Sequence, residues 1–141
     1  MADPKMKTRP MGARAVLGRT GFPDITSDTG GTLKIATGVS EAGFNPVDLL
    51  YASLSSCLVL SARIAASKFG VLKELNEVRA SVAGEKAADE PSRIIRFNIS
   101  IEIDGDFDDE MKAKIAEAAE NDICTVSNTI RGNPEFVTKL L

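Results

Sequence analysis

The sequence predicts an α+β fold, and three patterns carry that expectation. Ile95, Phe97, Ile99, Ile101 and Ile103 alternate with Arg96, Asn98, Ser100, Glu102 and Asp104, the period of a half-buried strand. From Pro46 to Phe69 nearly every residue is apolar or small, with charges only at Asp48, Arg63 and Lys68, which describes one long helix. Strand and helix patterns follow one another as β-β-α-β-β-α-α-β, the segregated order of α+β domains.

Taken in order, residues 1–11 are polar with Pro4 and Pro10 and read as a flexible arm. Residues 12–141 read as a single domain, because 141 residues suffice for one core but not two. Residues 13–37 hold short apolar pieces broken by Gly18, Gly21, Pro23 and Gly30-Gly31, the punctuation of short antiparallel strands. Asn45 is placed to cap the long helix, Pro46 suits its first position, and Gly70 suits its end. Residues 72–86 and the isoleucine run predict two paired strands, with a polar hairpin connection over 84–92. Residues 108–121 predict an amphipathic helix and 123–131 a second, shorter one ended by Gly132. Residues 135–141 predict a closing strand.

A helix apolar on nearly every face needs cover on nearly every face, and a 15.0 kDa chain has little material to supply it. Two copies packing their long helices together would, so the sequence predicts a homodimer. The uncharged stretch 49–62 is shorter than the ~20 residues of a bilayer span and contains four serines, which favours a protein core over a membrane.

Composition narrows the chemistry. A net charge of −3 without a dense basic stripe argues against nucleic acid as a partner. Two cysteines are too few for a secreted disulfide scaffold, and the first residues lack a signal peptide's apolar core, so a cytoplasmic protein is expected. With no histidine, His-dependent triads and His-bound zinc are excluded, and no metal site is expected. Cysteines, arginines and carboxylates remain.

Each cysteine has an ordinary explanation as a small buried hydrophobe. Cys57 lies in mid-helix, where the macrodipole offers a thiolate little, and lowering its pKa by two to three units requires about 3 to 4 kcal/mol of preferential stabilisation. Arg63, six residues on, lies on another side of the helix, so a cation must come from elsewhere, with Arg14 and Arg19 as candidates. Cys124 opens a short helix, whose free N–H groups favour an anion. Local reasoning therefore ranks Cys124 as the more acidic thiol.

Three stretches together resemble the family of osmotically inducible protein C and the organic hydroperoxide resistance proteins, OsmC/Ohr. Asn45-Pro46-Val47-Asp48-Leu49-Leu50-Tyr51-Ala52-Ser53-Leu54-Ser55-Ser56-Cys57 is similar to the family's Asn-Pro-Glu helix leading to a peroxide-reacting cysteine. Cys124-Thr125-Val126-Ser127-Asn128-Thr129-Ile130-Arg131-Gly132 is similar to the segment holding its resolving cysteine. Val16-Leu17-Gly18-Arg19-Thr20-Gly21 resembles the strand and turn that place its active-site arginine. The resemblance covers residues 12–141 and implies an OsmC-like fold, an intertwined homodimer with long central helices inside curved antiparallel sheets.

It also implies a thiol-dependent hydroperoxide reductase with no bound cofactor. Cys57 would attack the peroxide, Cys124 would resolve the sulfenic acid as a disulfide and serve as a good leaving thiolate on recycling, and Arg19, with Arg14 in reserve, would supply the cation. An external dithiol, of lipoyl type in relatives, would then reduce the disulfide. Two departures stand out: Val47 occupies the place of the family's Glu, with Asp48 as the possible substitute, and Thr125 replaces the common proline. Val47 motivates an alternative, an OsmC-like protein that binds a small apolar or thiol-reactive ligand at the dimer cleft with little peroxidase activity. In a third reading both cysteines are core residues of a structural protein.

Overall fold

A computed structural model describes residues 9–141. All but three residues of the expected arm at 1–11 lie outside that range. By its internal packing the chain divides into two units, residues 1–49 and 50–141.

The first unit is a three-stranded antiparallel sheet in the order β1 (Ala13–Val16), β2 (Asp24–Ser27), β3 (Thr32–Lys34). Its breaks fall where the glycines and Pro23 predict them. At the β2–β3 turn Gly30 adopts φ +95°, a conformation that favours glycine, and Ser27 N–H donates to Gly31 O at 2.8 Å. All of β1 and β3 is exposed, including Val16 and Leu33, so this sheet buries little on its own.

The long helix α1 (Pro46–Lys68) begins in this unit. Asn45 Oδ1 accepts from Asp48 N–H at 2.7 Å, and the Asp48 carboxylate accepts from Asn45 N–H at 3.1 Å. This is a reciprocal capping box with Asp in the place usually held by Glu. At the far end Gly70 takes φ +76°, Gly70 N–H donates to Ser67 O, and Val71 N–H donates to Ala66 O, the paired bonds of a Schellman stop.

In the second unit β4 (Leu75–Lys86) and β5 (Ile94–Gly105) form one antiparallel hairpin, so the described residues hold two small sheets. Val78 pairs with Ile103, Ala80 with Ile101 and Val82 with Ile99, giving one apolar face. The other face carries Arg79 between Glu77 and Glu102, and Arg96 beside Glu85. Ile95 departs from the predicted alternation: a register shift sets Lys86 against Ile94, and Ile95 is turned outward.

α1 lays Leu54, Leu58, Ser61, Ala62, Ala65 and Ala66 into the core. Alanines let the helix approach Ile103 of the hairpin and Ile115 of α2 (Asp109–Ala118) closely. Its serines bond back to the helix, as Ser53 Oγ does to Leu50 O at 2.9 Å and Ser56 Oγ to Ala52 O at 2.7 Å, which makes them tolerable among apolar neighbours. The helix runs beyond the uncharged stretch 49–62, and with 23 residues and a mean hydropathy of 1.6 over its best window it is long and apolar enough to cross a membrane. Its buried stripe packed on a sheet is that of a core helix. Leu60 and Ile64 remain half exposed in the single chain, so its own residues do not supply all the cover that the sequence predicts for this helix.

α2 is capped by Asp108, whose carboxylate accepts from Met111 N–H at 2.9 Å. Where the sequence predicts a break at 121–122, the chain instead widens into a π turn (Ala119–Ile123), then enters α3 (Thr125–Gly132) with Cys124 as N-cap. Gly132 stays helical and Asn133 takes the left-handed stop at φ 47°. The predicted strand at 135–141 does not form. Phe136, Val137, Leu140 and Leu141 are fully exposed, and among the described residues no neighbouring strand pairs with them.

Gly84 is required for space: a Cβ there would collide with the Tyr51 hydroxyl and Ile94. Tyr51 in turn packs edge-on against Phe97 at 6.2 Å between centroids. Gly84→Ala should lower unfolding free energy by about 1–3 kcal/mol in urea denaturation. Gly132→Ala, at a helical site with nothing near the added methyl, should be neutral or stabilising by up to ~1 kcal/mol. Equal effects at both positions would count against the packing assigned to Tyr51.

Candidate functional site

Cys57 is carried by the middle of α1, on the flank of its buried stripe. It joins Leu54, Leu58 and Cys124 in one cluster, packed with Phe97, Ile99, Val126 and Ile130. Two residues 67 positions apart in the sequence are thus neighbours, because α3 begins against the middle of α1. Both thiols are free. Cys57 is half-buried, whereas Cys124 is fully covered at 0% exposure.

The electrostatics reverse the order that local sequence reasoning gives. For Cys57 the largest single influence is burial, which raises its pKa. Donors to the sulfur outweigh it: the Val126 N–H, the Cys124 thiol, the Ser61 hydroxyl and the Thr125 N–H. The net effect holds the Cys57 thiol below the ordinary cysteine value. For Cys124 burial is again the largest influence, and donation of its S–H to Cys57 adds to it. Bonds from the Ser127 and Val126 N–H groups only partly offset them, and the thiol is raised.

The free N–H groups at the start of α3 do favour an anion, as expected from the sequence, but they act on both sulfurs, and only for Cys57 do the donors outweigh burial. Cys124 itself serves as N-cap, its sulfur accepting from Ser127 N–H at 3.3 Å. A raised pKa also makes Cys124 the poorer leaving thiolate of the pair, correcting the expectation that a helix start would make it a good one.

Four residues that sequence reasoning did not single out as site residues complete the setting. Ser61 Oγ stands 4.0 Å from Cys57 Sγ, one helical turn further on, a spacing that i,i+4 geometry could have flagged. Buried Ser127 donates from its hydroxyl to Glu120 O at 3.0 Å. Arg131 binds Glu120 and Asn121 at 2.7 and 2.8 Å. Glu120, Ser127 and Arg131 form the polar side of a cleft of about 210 Å³ whose apolar side is Leu54, Phe97, Ile99 and Ile130. The cleft opens directly beside the cysteine cluster, with which it shares those four apolar residues.

The remaining predicted residues lie in the first unit. Arg14 is on β1 opposite Thr26, and Arg19 occupies an exposed bend after β1. Asp48 belongs to the capping box, and among the described residues no ion pair joins it to either arginine. No cluster of three or more metal-ligating side chains exists among the described residues.

The fold is shared with known structures. An OsmC-like protein from Mycoplasma pneumoniae superposes with a TM-score of 0.74 at 18% identity, covering 90% of each chain. An organic hydroperoxide resistance protein OsmC from Legionella pneumophila gives 0.67 at 23% identity, covering 92% of this chain and 93% of that one. The organic hydroperoxide resistance protein OhrB of Bacillus subtilis gives 0.62 at 23% identity, covering 87% and 91%. No curated protein matches the sequence directly. Residues 38–139, which include both cysteines and everything around them, match the family model described as OsmC-like protein, and the chain belongs to that family.

Proposed function

We propose that the protein is a thiol-dependent peroxidase acting on organic or inorganic hydroperoxides. The observation that carries this reading is the pairing of Cys57 with Cys124 at the start of α3, where one thiol is made more acidic at the expense of the other. The thiolate is the reactive form, and Cys57 is both the more ionised and the more accessible sulfur.

In the proposed reaction the Cys57 thiolate attacks the nearer oxygen of the O–O bond. The S–O bond forms, the O–O bond breaks, and the departing alkoxide takes a proton to leave as an alcohol, or as water from hydrogen peroxide. Cys57 becomes a sulfenic acid. Cys124 then attacks its sulfur, expelling water and closing a Cys57–Cys124 disulfide. An external dithiol, of lipoyl type by family analogy, returns both thiols and is itself oxidised to a disulfide. Arg19 is proposed as the cation that steadies peroxide and thiolate, with Arg14 in reserve.

A homodimer is part of the proposal. Val16, Leu17, Phe22 and Leu33 in the first unit, Leu60 and Ile64 on α1, and the C-terminal Phe136 to Leu141 leave extensive apolar surface uncovered in one chain. A second reading, ligand binding in the cleft with weak peroxidase activity, is favoured by one observation. Val47 has no charge, and Asp48 is engaged in the helix cap, so no carboxylate at the helix start is committed to Arg19.

One equivalent of cumene hydroperoxide at pH 7 should abolish both free thiols, as read by thiol titration. Cys57→Ser should leave the peroxide unconsumed, and Cys124→Ser should stop at a dimedone-trapped sulfenic acid. Two thiols still titratable after peroxide would refute the peroxidase reading. Because the Cys57 pKa is lowered, its thiolate persists to lower pH, so iodoacetamide should label Cys57 with a midpoint below that of an ordinary thiol and Cys124 with one above it. The opposite order would remove the role assigned to α3. Light scattering should return twice the 15.0 kDa chain mass, and a single-chain mass would remove the dimer.

A further inference from the structure

The eight residues of α3 are too few for a helix to hold itself in place, so its start faces Cys57 only if something outside the helix fixes it there. Three side chains on one face do so, at positions 127, 128 and 131, and all reach back to residues 120–122 of the π turn. Ser127 Oγ donates to Glu120 O at 3.0 Å and Asn128 Nδ2 to Asp122 O at 3.5 Å. Arg131 spans two acceptors at once, Nη2 to Glu120 Oε1 at 2.7 Å and Nη1 to Asn121 Oδ1 at 2.8 Å.

We propose that Arg131 is a positioning residue: with Ser127 and Asn128 it laces α3 to the π turn and thereby fixes the helix start that packs against Cys57. The inference rests on the reading of Cys57 as the reacting thiol. As an ion pair at the surface the Arg131–Glu120 contact contributes little energy, since both side chains meet solvent. Its value is geometric. A planar fork held on a carboxylate and an amide allows the helix less rotation than a single bond does, and a lysine cannot reproduce it. The buried Ser127 completes the lacing from beneath, because its N–H caps on Cys124 while its hydroxyl holds the turn.

The test is the pH profile of Cys57 alkylation by iodoacetamide in the full-length protein, with peptide mass spectrometry separating Cys57 from Cys124. Arg131→Ala should raise the Cys57 midpoint by about half a unit, slowing labelling about threefold at pH 7 while leaving the high-pH plateau unchanged. Arg131→Lys should fall between wild type and the alanine variant. Glu120→Gln, which keeps the acceptor and removes the charge, should stay near wild type.

An unchanged midpoint in Arg131→Ala with helix content intact would overturn the proposal. So would a Glu120→Gln midpoint that falls as far as Arg131→Ala raises it, since Arg131 would then act through space by its charge. Should Arg131→Ala fail to fold, Arg131→Lys decides, and a profile identical to wild type counts against the fork. The measurement uses no peroxide, so thiols indifferent to hydroperoxide would sink the peroxidase reading while this comparison still stands or falls by itself.

Discussion

The start of α3 against the middle of α1 is the constraint on which the candidate site depends. A thiol midway along a long apolar helix has no local reason to ionise: its own helix dipole is spent at the ends, and burial opposes charge. The Thr125 and Val126 N–H groups, left without helical partners by their position in the first turn, supply what α1 cannot. Most of the second unit serves to hold that meeting. The alanines of α1 admit α2 closely, the hairpin's apolar face backs both, and the π turn at 119–123 leads the chain from α2 into Cys124.

Much of this fold is legible in the sequence because its signals are local. Asn45-Pro46 and Gly70 delimit α1 to within a residue, and the isoleucine alternation gives β5 its face. Two of the misreadings share one cause, which is that the deciding partner lies elsewhere in the sequence. Ile95 keeps the alternation in sequence but is displaced by a bulge set by its pairing with β4. Residues 135–141 have a strand's composition but, among the described residues, no strand beside them. The break predicted at 121–122 is a π turn, a feature that no simple periodicity announces.

The two cysteines show the same limit more sharply. Reasoning from its own segment, Cys124 is the acidic thiol, since it stands at a helix start. In three dimensions the N-cap side chain accepts from Ser127, two residues beyond the first N–H of its helix, while the Thr125 N–H serves a sulfur brought in from another element and the Val126 N–H is shared between the two sulfurs. Sequence proximity to a helix start and possession of its field are different things. The motif order resembling the OsmC/Ohr pattern names two cysteines that the fold brings into one cluster, and the physical reason for their different acidity lies in the contact between α1 and α3.

That division has a consequence for recycling. In a Cys57–Cys124 disulfide an incoming thiolate can strike either sulfur, and the displaced one leaves more readily the lower its pKa. Leaving-group ability therefore favours attack on Cys124 with release of Cys57, whereas access favours attack on Cys57, because Cys124 is fully covered in the reduced chain. The same packing that lowers the Cys57 pKa would thus set access and leaving-group ability against each other in the return step of the proposed cycle. In the proposed cycle a reductant could satisfy both only where the start of α3 yields, and the groups holding that start are Ser127 and Arg131, which line the cleft, together with Asn128. In the proposed cycle, the lacing that holds the start of α3 beside Cys57 would then also be the structure that has to loosen for a Cys57–Cys124 disulfide to be reduced.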